Sequence, residues 1–213
     1  SHDIVQGTNC PIQDDGNNTI AQICYDIAKE LDVEPYDEHT GKGVLRHVIG
    51  RIGQSGWMVI LVTATDYLPE QEEWVKSITN RIPQVETIVH NVNSKRTNVI
   101  LGPTNHVIYG DGTITDHIKD LRFNVSPHSF FQVNPEQTTV LYDQALAYAD
   151  LKGNETVIDA YCGTGTISLF LAHKAKHVIG IEIVEPAIIN ARENARNNGY
   201  DNTEFIVADA AVE

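Results

Sequence analysis

The sequence predicts an α/β protein in two parts. Residues 1–128 form a smaller α+β unit, and residues 129–213 supply the first three parallel strands of an open, doubly wound sheet. Three observations predict this. In the second part, apolar runs at 156–160, 177–181 and 203–208 alternate with helical segments, as in right-handed βαβ units. The first of these runs ends in Asp159-Ala160-Tyr161-Cys162-Gly163-Thr164-Gly165-Thr166, which reads as a strand, a tight loop and a helix start, the arrangement that lets backbone approach a nucleotide-type cofactor. In the first part, short β-like runs follow one another with only two helical segments, which indicates a mostly antiparallel sheet.

Taken in order, Ile20, Ile23, Ile27 and Leu31 recur at helical spacing and predict a helix over 19–31 with Asn18 as its N-cap. Strands are expected at 44–52 and 57–65, joined as a hairpin through Gly53-Gln54-Ser55-Gly56. Residues 69–80 place Pro69 near a helix start, with Trp74, Val75 and Ile78 as the apolar face. Residues 85–92 alternate apolar and polar side chains, the pattern of a half-buried strand. Further short strands are read at Val99-Ile100-Leu101, at 106–109 and at 114–118, with Gly110-Asp111-Gly112 as a turn. Asn134-Pro135-Glu136-Gln137 reads as an N-cap, a proline at the first helical position and a glutamine three residues after the cap. The helix it opens runs to about Asp150 and turns Val140, Leu141, Ala145, Ala147, Tyr148 and Leu151 toward a core. A last helix over 186–198 buries Ile188, Ala191 and Ala195, and Gly199 stands where a C-terminal cap belongs. Three parallel strands are half of a doubly wound sheet, and Glu213 follows directly on the third, so the chain is expected to be part of a longer protein.

A formal net charge of −14, shared about equally between the two parts, argues against a nonspecific nucleic-acid binder, which neutralises phosphates with Lys and Arg. Any RNA or DNA contact needs a local basic patch or a basic domain outside this chain; Lys42, Arg46, His47 and Arg51 form the densest cluster, followed by Lys95-Arg96. Cys10, Cys24 and Cys162 are odd in number and far apart, without the spacing of a disulfide framework or a zinc site, and the histidines show no ligand spacing, so no metal is expected. The longest apolar stretch, 57–64, is too short to cross a bilayer, and a cytoplasmic location is the expectation.

Acidic residues stand at the carboxyl ends of all three parallel strands: Asp159, Glu182 and Asp209. Open parallel sheets bind ligands at those ends. Glu182 lies 17 residues beyond Gly165, where an acid accepts hydrogen bonds from ribose hydroxyls, and Asp209 is in place for an adenine amino group. The loop departs from the dinucleotide fingerprint G-x-G-x-x-G, because Ser168 follows Gly163 and Gly165 at the third position. Asp159 suits a cofactor without phosphates and with a positively charged sulfonium or amino-acid end, which points to S-adenosylmethionine.

Ser126-Pro127-His128-Ser129-Phe130-Phe131-Gln132-Val133-Asn134, then Asp159 to Thr166, then Gly180-Ile181-Glu182, closely resemble in order and spacing the RNA uracil-C5 methyltransferases, especially the branch acting on 23S ribosomal RNA. The resemblance is specific over 123–213 and weaker upstream, where Cys10-Pro11 and Leu45-Arg46-His47 look like that family's central domain. It implies a Rossmann-like class I methyltransferase fold, an RNA substrate with no membrane partner, and S-adenosylmethionine contacts at Gln132, Tyr161, Glu182 and Asp209, beside Asp159, Gly163 and Gly165 of the loop. Thr166 stands where some members have an asparagine, and no role is carried over to it. The family's chemistry adds a cysteine thiolate to uracil C6, methylates C5 from the sulfonium and removes the C5 proton with a base. That cysteine follows the fourth strand in the family, so no catalytic residue is named among these 213, and the nucleophile is expected beyond Glu213. Cys162, inside the cofactor loop, is read as a packing residue. Cys10 resembles the last ligand of an iron–sulfur cluster found in many members, but a lone cysteine holds no cluster. Three alternatives stand beside this reading: a transfer-RNA uracil-C5 methyltransferase, an NAD-linked oxidoreductase and a noncatalytic RNA-binding protein.

Overall fold

The computed structural model describes residues 13–132 and 134–211. Cys10 and Pro11 lie outside the described residues, and so does Glu213, the position beyond which the catalytic cysteine is expected. The chain divides into two compact units, one ending at Ile114 and the other beginning at Thr115.

The first unit opens with α1 (Asp15–Glu30), four residues ahead of the expected start. Asp14, in extended conformation, accepts a hydrogen bond from the Gly16 N–H at 2.7 Å and takes the cap position, so Asn18 falls inside the helix. Ile20, Cys24 and Ile27 are buried along one face. Strands β1 (Leu45–Ile52) and β2 (Trp57–Thr63) pair antiparallel from Ile52 opposite Trp57, which is the expected hairpin. Helix α2 (Gln71–Arg81) buries Trp74 and Ile78 completely and crosses over to β3 (Val85–Val92), which runs parallel to β2. Strand β4 (Thr104–Tyr109) pairs antiparallel with β3 and completes a sheet of order β1-β2-β3-β4. Two of its three pairings are antiparallel, as read from sequence.

Two expectations in this unit are corrected. Residues 85–92 are not half-buried: β3 is a central strand, and only Glu86 along it is exposed. Its polar side chains are buried because they find partners from other elements. Asn91 donates to the carbonyls of Gly102 and Thr104 and accepts from the Gly102 N–H, and His90 Nε2 meets Thr63 Oγ1 at 2.6 Å. Val99-Ile100-Leu101 is not a strand. The carbonyls of Val99 and Ile100 accept from Asn93 Nδ2 at 2.7 and 3.0 Å, so a side chain replaces the ladder partner, and Val99 and Ile100 stay exposed.

A two-stranded sheet of β5 (Ile114–Ile118) and β6 (Leu121–Val125) follows. Helix α3 (Pro135–Ala149) is capped as its sequence predicts, Asn134 accepting from the Gln137 N–H at 3.0 Å. Its buried face, however, is corrected. Tyr142 is buried, whereas Val140, Leu141, Ala147 and Tyr148 are exposed. The ring of Tyr142 packs edge-on against Phe170 and its hydroxyl meets Thr166 Oγ1 at 2.9 Å, and these contacts set the rotation of the helix. Strands β7 (Thr156–Asp159), β8 (His177–Glu182) and β9 (Thr203–Val207) form a wholly parallel sheet in that order, with α4 (Thr166–Ala172) and α5 (Glu185–Asn197) as the connections. Val178 and Phe205 are buried on this sheet, while Ile158 and Ile206 are exposed. Among the described residues no helix is long and apolar enough to cross a membrane.

Candidate cofactor site

The second unit gathers its chemistry at the carboxyl ends of β7, β8 and β9. Register sets Asp159 opposite Gly180 and Glu182 opposite Val207, so the two acids end neighbouring strands about two residues out of step. The loop between β7 and α4 folds against β8: the Cys162 N–H donates to the Ile181 carbonyl at 3.0 Å, and the Gly165 N–H closes a turn on the Cys162 carbonyl at 2.8 Å. Gly163 and Gly165 both adopt positive φ, 53° and 80°. Their surroundings differ. Beside Gly163 the space for a side chain is open, which leaves backbone accessible to a ligand, whereas a Cβ on Gly165 would come within 3.1 Å of Phe205 and Ala191. Gly180 serves the same packing, since a Cβ there would strike Phe205 and the Cys162 sulfur.

The acids are held by backbone and by each other's neighbourhood. One oxygen of Glu182 accepts from the Gly163 N–H at 3.3 Å and the other from the Val184 N–H at 3.0 Å, which ties the carboxylate to the loop and to the start of α5. Each oxygen keeps a further lone pair for a ligand hydroxyl. Asp159 accepts from the hydroxyl of the fully buried Ser168 at 2.6 Å. Burial pushes the Asp159 carboxyl above the ordinary aspartate range; the Ser168 hydroxyl and the Tyr161 backbone pull it down, and the nearby Glu182 charge adds to the rise. Ser168 therefore takes up the role of orienting an acid rather than merely failing to be a glycine. The partner lies nine residues upstream, across the loop, at no helical or strand period, so sequence spacing does not display the pair.

The remaining predicted residues are placed as follows. Tyr161 is 77% exposed, its ring free of the packed interior. Asp209 is exposed two residues beyond β9 and accepts from the Ala211 N–H at 3.0 Å. Gln132 is half-buried in the irregular stretch before α3, and Val133 beside it lies outside the described residues. Cys162 is 4% exposed, and burial, reinforced by Asp159 and Glu182, pushes its thiol up to about 12. A thiol so placed is neutral near pH 7 and is no nucleophile. In the first unit, the guanidinium of Arg46 stacks over Tyr36 at 4.5 Å and donates to the carbonyls of Asn93 and Lys95 at 2.7 Å each. Arg96 donates to the His39 carbonyl at 3.2 Å. Arg46 and Arg96, one from each basic cluster read from sequence, thus fasten loops.

A strand–glycine-loop–helix unit with acids at successive strand ends, on a parallel sheet of this order, is a Rossmann-like arrangement. Residues 151–212 match the family model described as a methyltransferase domain. Over its whole length the chain is homologous to bacterial proteins named as uncharacterized RNA methyltransferases. It is 50% identical to one from Halalkalibacterium halodurans over 99% of this chain and 46% of the relative, and 48% identical to one from Clostridium acetobutylicum over 100% and 47%. The chain thus spans just under half the length of these relatives. Among solved structures it resembles the Pyrococcus abyssi tRNA (uracil-54, C5)-methyltransferase in complex with S-adenosyl-L-homocysteine, with a TM-score of 0.82 and 27% identity over 97% of this chain and 50% of that one.

Proposed function

We propose that the protein is an S-adenosylmethionine-dependent RNA methyltransferase acting at uracil C5, and that the second unit holds the cofactor while the first belongs to the family's central domain. The Glu182 carboxylate, held by Gly163 and Val184 beside the open face of Gly163, carries this reading. Residues and cofactor fit one another. Glu182 offers lone pairs to ribose hydroxyls, the half-buried Asp159 offers a carboxylate to the cationic amino-acid end, and Gly163 leaves room for close approach. Tyr161 has an exposed ring that would lie against the cofactor, and the half-buried Gln132 and the exposed Asp209 would add polar contacts, Asp209 at the adenine amino group. Bound there, S-adenosylmethionine supplies an electrophilic methyl group on a sulfonium. The chain's part is to bind it, orient it and keep Cys162 neutral and out of the reaction.

An RNA substrate accords with the names of the bacterial relatives. The sequence motifs favour 23S ribosomal RNA, with the protein working in the cytoplasm; the P. abyssi likeness favours transfer RNA as the second reading. Calorimetry tests the cofactor assignment. S-adenosylhomocysteine should bind the chain and NAD should not, and Glu182→Ala should cost about 1.5–3 kcal/mol of that affinity. Binding of NAD alone, or unchanged affinity in a folded Glu182→Ala variant, overturns the reading. Methylation of uridine in one RNA class and not the other by the full-length protein decides the substrate.

A further inference from the structure

Helix α5 and its C-cap residue carry Asn190, Asn194 and Asn198 at i, i+4 and i+8, one polar stripe that the cofactor assignment does not use. Each amide is spent on the backbone or hydroxyls of another segment. Asn198 Oδ1 accepts from the Arg122 N–H at 2.8 Å, and its Nδ2 donates to the carbonyls of Arg122 and Asn194. Asn194, fully buried, accepts from the Asn124 N–H at 2.9 Å and donates to the Thr164 carbonyl at 3.1 Å. Asn190 Nδ2 reaches Ser129 Oγ at 3.0 Å and Ser126 Oγ at 3.4 Å, while those two hydroxyls meet at 2.8 Å.

The stripe ties three different things to one rigid helix. Asn198 holds only β6. Asn194 bridges β6 to the cofactor loop, and Thr164 is the residue between its two positive-φ glycines. Asn190 holds the Ser126–Ser129 turn, three residues ahead of Gln132. A buried carbonyl in a glycine loop needs a donor, and without Asn194 the loop would lose the tether that fixes its height above the sheet.

We propose that Asn194 is a positioning residue for the cofactor, setting the loop at Gly163 and Gly165 through the Thr164 carbonyl, with Asn190 on the same helix holding the Ser126–Ser129 turn that leads to Gln132. This rests on the reading of the loop as the S-adenosylmethionine site. Asn194 touches neither cofactor nor substrate; it acts through the loop.

Two matched substitutions separate this from a stabilising role alone. Asn194→Asp and Asn198→Asp each keep the oxygen that accepts from β6 and lose the donating half, which in Asn194 serves the loop and in Asn198 does not. At pH 8, amide hydrogen exchange over residues 161–166 should quicken in Asn194→Asp and stay unchanged in Asn198→Asp, and S-adenosylhomocysteine should bind about tenfold more weakly to the first variant only. If the carboxylate unfolds the unit, Asn194→Ala and Asn198→Ala repeat the comparison without burying a charge. Equal loop exchange and equal affinity in both variants overturn the proposal. Failure of the unsubstituted chain to bind S-adenosylhomocysteine would instead remove the cofactor assignment, and the exchange result would still decide whether Asn194 orders the loop.

Discussion

Asp159 is kept partly out of water where an ionised carboxylate is least welcome, and Ser168 supplies one hydroxyl in compensation. The direction of its shift has a consequence for stability. Because the folded pKa lies above the unfolded value near 3.9, the folded state holds the proton more tightly, and Asp159 disfavours folding once pH rises above that range. Asp159→Asn should therefore be more stable than the unsubstituted chain at pH 7, with the difference fading below about pH 4 as the aspartate is protonated in both states. Urea unfolding across that range measures it; a variant less stable at pH 7 would show that the carboxylate is better solvated than its burial indicates. The same variant should bind S-adenosylhomocysteine more weakly, a cost in stability accepted for binding. Asp159 itself was legible in the sequence because it ends an apolar run before paired glycines. Ser168 was legible only as an exception, since its meaning depends on a partner across the loop.

At the scale of elements, local signals are plain in the sequence and the faces of elements less so. The cap of α3 is written in four consecutive residues, and Asn134 takes the predicted bond. Asn134→Ala should cost about 1 kcal/mol in urea unfolding, as the loss of an N-cap does elsewhere, and a neutral result would mean that tertiary contacts alone hold the first turn. Which side of α3 is buried was not written locally. Apolar residues lie all round the helix, and the contacts of Tyr142 with Thr166 and Phe170, 24 and 28 residues away, decide the matter. Depth in β3 was hidden for a related reason. Thr87, His90 and Asn91 look solvent-facing by type, yet each is buried on hydrogen bonds with β2, β4 or the loops flanking β4. Sequence displays the polarity of a residue, and only the fold displays its partner. The α5 stripe had a readable signal in its i, i+4, i+8 asparagines, although the apolar positions of the helix drew the reading instead.

On the scale of the whole molecule, the two units have separate cores, and the aromatic reporters are unevenly shared. The first unit is built around Trp74, Ile78, Val59, Leu61 and Ile88, with Trp57 packed against them. Both tryptophans of the chain therefore lie in the first unit, and the proposed cofactor residues all lie in the second. A ligand that binds only the folded second unit raises its stability by about 2.7 kcal/mol at one hundred times its dissociation constant, and leaves a separately unfolding unit untouched. Under that concentration of S-adenosylhomocysteine, the midpoint followed by tryptophan fluorescence should stay where it was. Far-UV circular dichroism, to which helices of both units contribute, should separate into two steps, of which only the one silent in fluorescence moves. A common shift in both signals would show that the units unfold together, so that a ligand bound to the second is felt by the first as well. Binding readouts would then carry the stability of both units, and variants such as Glu182→Ala would have to be compared at matched fractions folded.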